Sequence, residues 1–135
     1  MRGIYLLLIF LKKDTHIRIG KLGDINFEKG RYIYVGSAQN SLETRIKRHL
    51  SENKKLFWHI DYLLNNKNAS IEKVYYKLTN KKSDECKYAK LISKKNSVIN
   101  KFGSSDSKCK SHLIHVKNIE SIKPIMADKF YIYKK

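Results

Sequence analysis

Apolar residues run almost unbroken from Ile4 to Leu11, a pattern that predicts a strand over 3–11 buried on both faces. HIRIG at 16–20 alternates and predicts a shorter strand, whereas KLGDINFEKG at 21–30, with Gly23, Asp24 and Gly30, predicts a loop. RYIYVG at 31–36 predicts a second principal strand, with Tyr32 and Tyr34 on one face and Ile33 and Val35 on the other. The period then changes. Leu42, Ile46 and Leu50 fall at helical spacing behind the capping residue Ser41 and predict a helix to about Glu52. LFWHIDYLLNN at 56–66 predicts a second helix, and IEKVYYKL at 71–78 a third principal strand. A third helix is predicted from a Ser83 cap to about Lys95, with Asp84 and Glu85 favouring its N-terminal dipole. From about 98 the chain opens with the loop FGSSDSKCKSH and leans towards strand near 113–116 and 130–133. This order predicts a single α+β domain over 1–135, ending in a β-leaning C-terminal extension. Its small, mainly antiparallel sheet has three principal strands plus an inserted strand and is flanked by helices.

Charge changes the picture most. Twenty-nine Lys and Arg stand against twelve Asp and Glu in 135 residues, a net charge of +17, so the chain seeks polyanions, phosphate backbones first. The opening apolar run is too short to span a bilayer and meets Lys12 and Lys13 where a leader would carry small residues. A membrane partner is therefore not expected, and a cytoplasmic location is. Two cysteines, Cys86 and Cys109, are too few for a disulfide framework, and reduced thiols are favoured over a single bridge.

Candidate chemistry sits on the helices and on the strand ends before them. Around the 41–52 helix, Arg45 and His49 fall together at one edge of the apolar stripe, with Arg48 further towards solvent. An arginine at such an edge is partly desolvated, which strengthens its hold on an anion. On the 83–95 helix, Glu85 shares the side marked by Tyr88, Ala89 and Ile92, where a carboxylate needs a cation or a donor. One magnesium-type ion, which takes few carboxylates and fills its shell with water and phosphate oxygens, would meet that need. Cys109, His112 and His115, with Cys86, supply zinc-type ligands, but the C-x2-H-x2-H spacing is cramped and a strand register turns the two histidines to opposite faces. In WHIDYLL, Trp58, Tyr62 and Leu63 are expected in the core, and His59 is a candidate for the cleft or the substrate.

Gly3-Ile4-Tyr5 and Tyr34-Val35-Gly36, continued by Ser37-Ala38 and by Arg45-Ile46-Lys47-Arg48-His49, resemble the signature of the GIY-YIG nuclease superfamily. Glu85, ahead of Ala89 and Leu91-Ile92, resembles that superfamily's metal-binding glutamate. IRIGKLG, WHIDYLL, the 85–86 pair and FGSSD-x-x-C-x-S-H at 102–112 extend the resemblance to a stand-alone branch classed as a domain of unknown function, in places fused to a DNA-repair glycosylase. The resemblance implies a DNA endonuclease of repair or processing that uses one Mg2+ or Mn2+ on Glu85. It implies that Tyr5 accepts a proton from the attacking water, its phenolate favoured by Arg45 and by Lys21 of the inserted loop. Tyr34 and Arg45 would hold the phosphate, and His49 would share either role. Lys21, Ser37, Arg48, His59 and Asp106 are the nucleic-acid-binding candidates.

The chain departs from the superfamily in the insertion at 16–23 and in lacking a clear match for a late asparagine. Asn100, Ser105 and Asp106 are the substitutes, Asp106 first. RNA is the second substrate class, and the rival reading is a nucleic-acid-binding module that keeps the fold without turnover. No base-reading element is apparent, so targeting is left to a partner protein.

Overall fold

The structure, a computed structural model, describes residues 1–52, 54–103, 109–128 and 130–134. It is an α+β fold whose main sheet has six strands in the order β6-β7-β4-β1-β5-β8, every neighbouring pair antiparallel. The three predicted principal strands are its centre: β1 (Gly3–Leu11) lies between β4 (Gly30–Ala38) and β5 (Ala69–Leu78). Short strands extend it on both sides, β6 (Ser97–Val98) and β7 (Leu113–Val116) beyond β4, and β8 (Tyr131–Ile132) beyond β5.

The predicted loop at 21–30 is in part a strand. Residues Gly23–Phe27 form β3 and pair with β2 (Thr15–Ile19) as a separate two-stranded sheet. Ile25 and Phe27 alternate with Asp24 and Asn26, a period-2 pattern that the turn residues around it obscured. The insertion is thus a hairpin rather than one strand. Gly20 and Gly23 supply the positive φ values of +44° and +93° that its turn needs.

Burial of β1 on both faces creates two apolar layers. Tyr5, Leu7, Ile9 and Leu11 face one way, with Tyr32 and Tyr34 of β4, and are covered by the hairpin and by helices α1 (Leu42–Leu50) and α2 (His59–Leu64). Leu6, Leu8, Ile33 and Val35 face the other way and pack on Ala89 and Ile92 of α3 (Ser83–Ser93) and on the C-terminal part of the chain, including Ile122. A short helix, α4 (Lys123–Met126), follows a 3-10 turn over Ile119–Ile122. No helix among the described residues is long and apolar enough to cross a membrane.

Local chemistry sets the helix limits. Ser41 Oγ accepts from the Thr44 amide at 3.2 Å and starts α1. Lys54 Nζ donates to the last carbonyls, His49 O and Ser51 O, both at 2.8 Å, and closes it. The second helix begins only at His59, not at Leu56, because the Asp61 carboxylate accepts the Phe57 and Trp58 amides at 3.0 and 2.8 Å and holds those residues in the cap. Asp61 is wholly buried. It is met by Arg48, whose two terminal nitrogens each donate at 2.9 Å. Arg48 therefore does not stand towards solvent as its helical position suggested; it ties α1 to α2.

The cysteines also differ from expectation. Cys86 of α3 and Cys109 are joined in a disulfide, with Cα atoms 5.7 Å apart, inside the range such a bond needs. The bond couples α3 to the segment leading into β7, across 23 residues of chain. The count of two cysteines carried no information about that proximity.

Burial alone would raise the Asp61 pKa, but Arg48 and the two amides outweigh it and hold the carboxyl below the ordinary carboxylate range. Its contribution to stability is therefore present above pH ~3.9 and is lost as the pH falls through the lowered folded value. Asp61→Asn leaves the part-exposed Arg48 guanidinium without its carboxylate and is expected to cost about 1.5–3 kcal/mol in urea unfolding at pH 7. At acid pH the difference between the variant and the parent should shrink.

Candidate active site

Tyr5 and Tyr34 reach the same end of the sheet because antiparallel pairing sets Tyr5 opposite Gly36 and Leu7 opposite Tyr34. This puts the two phenols diagonally on one face, their ring centroids 6.5 Å apart. The two glycines of the paired triplets have separate reasons to be glycine. A Cβ on Gly36 would fall within the atoms of the Tyr5 ring, and one on Gly3 would collide with the Lys77 carbonyl of β5.

Around the phenols is a cleft of about 920 Å³. Tyr5, Tyr34, Ser37, Arg45, His59 and Glu85 all line it. Residues from β1, β4, α1, α2 and α3, spread over more than half the chain, thus meet there. His49 does not line it. It sits behind Tyr5, nearly fully buried, with Nε2 2.7 Å from the Tyr5 hydroxyl. Arg48 is occupied by Asp61, and Lys21 lies exposed in the 3-10 turn Gly20–Leu22 between β2 and β3, away from the lining residues. Asp106 and Ser105 lie outside the described residues.

Arg45 is held rather than loose. One of its terminal nitrogens donates to Ser37 O at 3.2 Å, and its guanidinium carbon lies 4.5 Å from the centre of the Trp58 ring. Arg48 lies 4.1 Å from the same ring. Trp58, expected in the core, is instead half-buried on the cleft wall between two arginines, where cation–π attraction fixes the guanidinium that faces the site. His59 accepts the Gly103 amide at Nδ1, 2.8 Å away, so its proton is on Nε2. Gly103, with φ of +67°, is packed against Tyr34, which locks the 101–103 turn onto the tyrosine.

The electrostatics overturn one expectation. Burial pushes the Tyr5 hydroxyl far above its ordinary pKa; Arg45 opposes this and loses. Tyr34 is raised well above its ordinary value for the same reason. Neither ring is a phenolate in the resting protein. His49 moves the opposite way: burial, reinforced by Arg48, Lys54 and Arg45 against the attraction of Asp61, lowers it to about 3. A neutral phenol thus faces a neutral imidazole across a short hydrogen bond, with the imidazole Nδ1 buried and lacking a hydrogen-bond partner among the described residues.

Glu85 lies in the first turn of α3 and its side chain is 16% exposed; His112 Nδ1 stands 3.7 Å from its Oε1. The carboxylate faces a cleft also bordered by Lys82, Lys87 and Lys90. One carboxylate with open space beside it suits a single magnesium-type ion, whose remaining positions go to water and phosphate oxygens. The zinc-type set is not assembled: Cys86 and Cys109 are bonded to each other, His115 stacks on Tyr32 at 4.4 Å, and only His112 approaches Glu85. No group of three or more metal-ligating side chains occurs among the described residues.

Residues 4–134 match the family described as a domain of unknown function, DUF123. The chain belongs to that family. No curated protein and no solved structure matches it. In this DUF123 domain, sequence reasoning missed His112, Trp58 and the α3 lysines as cleft residues. Only Trp58 carried a usable signal, as a tryptophan next to a candidate cleft histidine.

Two outcomes follow from this geometry. Titration of the His49 ring followed by NMR should show it neutral from pH 8 to 5 and protonating only near 3. Because the folded value is lowered, stability should fall as the pH drops from about 6.5 towards 3, the unfolded chain binding the extra proton. Gly36→Ala should force the Tyr5 ring aside, lowering stability by about 1–3 kcal/mol in thermal unfolding and breaking the Tyr5–His49 bond.

Proposed function

We propose that this domain is a metal-dependent endonuclease of the GIY-YIG type, hydrolysing phosphodiester bonds of nucleic acid, DNA before RNA, in repair or processing. The observation that carries the reading is that Tyr5, Tyr34, Arg45 and Glu85, from four separate elements, line one cleft in a chain of charge +17.

The phosphate enters where Arg45 is held by Trp58 and Ser37. The rest of the guanidinium fork donates to its non-bridging oxygens and stabilises the extra charge of the transition state. Tyr34, kept protonated by burial, is a second donor to the same oxygens. Glu85 would hold one Mg2+ or Mn2+, which when bound would supply Lewis-acid charge for the departure of the 3′ oxygen.

Proton removal runs through two residues rather than one. Tyr5 does not act as a free phenolate, because burial forbids that state. Instead its oxygen accepts a proton from the attacking water while its own proton passes across 2.7 Å to His49 Nε2. The bond from water to phosphorus forms as the bond to the 3′ oxygen breaks, and that oxygen takes a proton from solvent. The products carry 5′ phosphate and 3′ hydroxyl. A phosphate in the cleft offsets the cations that depress His49 and so raises its basicity when substrate is bound.

The low basicity of His49 in the resting protein favours the second reading, a nucleic-acid-binding module without turnover. Incubation of flapped, branched, single-stranded and duplex DNA with Mg2+ or Mn2+ separates the two. Cleavage should occur and should fall by more than about 100-fold in Glu85→Ala, the scale of losing one transition-state charge contact, with binding nearly unchanged. Equal cutting by Glu85→Ala, or no cutting of any substrate, would overturn the nuclease reading; matched RNA strands in competition assign the sugar preference.

A further inference from the structure

The cleft wall carries an aromatic side chain that neither the fold nor the proposed chemistry uses. Phe57 is 75% exposed, and its neighbour Leu56 is also exposed. A large apolar ring in water gains nothing from folding, and Phe57 is no loose loop residue. Its amide donates to the buried Asp61 carboxylate at 3.0 Å, so its backbone is pinned by the same group that anchors Arg48. Its ring centroid lies 5.9 Å from that of Trp58, and Trp58 in turn holds Arg45 at 4.5 Å. An exposed ring on a pinned backbone thus stands one aromatic step from the guanidinium in the cleft. Lys82, Lys87 and Lys90 border the same cleft.

A basic groove beside an exposed aromatic is the combination that binds unpaired nucleotides, the cations tracking phosphates and the ring stacking on a base. In continuous duplex the faces of the bases are already covered by their neighbours, so such a ring has nothing to stack on. We propose that Phe57 is a stacking platform for an unpaired nucleobase next to the bound phosphate, so that the domain selects single-stranded segments such as flaps and branch-point strands over continuous duplex. This rests on the nucleic-acid reading of the cleft but not on turnover.

The test measures binding by fluorescence anisotropy in EDTA, where cleavage does not interfere. The probes are a labelled thymidine 20-mer, an abasic 20-mer with the same phosphates, and a blunt 20-base-pair duplex. Phe57→Ala should weaken binding of the thymidine strand about 5- to 100-fold, leave the abasic strand and the duplex within about twofold, and leave thermal stability unchanged. Phe57→Trp should restore the thymidine strand. Equal losses on all three probes would overturn the proposal in favour of a general structural role. No loss on any probe would also overturn it and assign the exposed ring to contact with a protein. Either failure leaves the nuclease reading standing if Glu85→Ala still abolishes cutting. Strand-selective binding without cutting would overturn turnover and keep the platform.

Discussion

The pairing of Tyr5 against Gly36 across β1 and β4 is the constraint on which the rest of the site depends. A side chain at 36 would occupy the space of the Tyr5 ring, so the phenol can lie across the neighbouring strand only because that residue has none. From there its hydroxyl reaches back to His49 on α1, and α1 is in turn held by Arg48 to Asp61 on α2. Shifting this pairing by one residue would turn every β4 side chain to the other face. Tyr34 and Tyr5 would then no longer share a wall.

Particular charges oppose burial at two proton-carrying groups, the arginines at Tyr5 and Asp61 at His49, and burial wins at both. Arg45 and Arg48 favour a Tyr5 phenolate, yet the phenol stays neutral; Asp61 favours a His49 cation, yet the imidazole stays neutral. The permanent charges sit where they are compensated or partly wet: Arg48 on Asp61, Arg45 on Trp58 and Ser37, Glu85 beside His112 with open cleft in front. A neutral pair spanning a short hydrogen bond can move a proton without first maintaining a buried charge. That suits a relay better than a standing base.

The Cys86–Cys109 bond gives α3 a second tie to the body of the fold. Glu85 precedes one cysteine, and His112 follows the other by three residues. The two groups that meet at 3.7 Å are thus joined through a covalent link as well as by the packing of Ala89 and Ile92 on Ile33 and Val35. Closing a loop of 23 residues, the link stabilises the fold mainly by restricting the unfolded chain.

The period of the apolar residues determined the central strands, and the spacing of Leu42, Ile46 and Leu50 determined α1, because each pattern reports one element and its nearest layer. The same local reading gave the order of Tyr5, Tyr34, Arg45, His49 and Glu85 along the chain. It could not say that Arg48 turns inward, since that depends on a buried carboxylate, Asp61, thirteen positions away. Nor could it place Trp58 between two arginines, join Cys86 to Cys109, or find β3 behind its glycines. Protonation was the furthest from view. The resemblance implied a Tyr5 phenolate favoured by Arg45 and Lys21, whereas desolvation keeps the phenol neutral, and desolvation is a property of the closed tertiary environment rather than of any segment. Sequence fixes which groups exist and which face of their own element they occupy; distances between elements, and the water excluded when those elements close, belong to the folded chain alone.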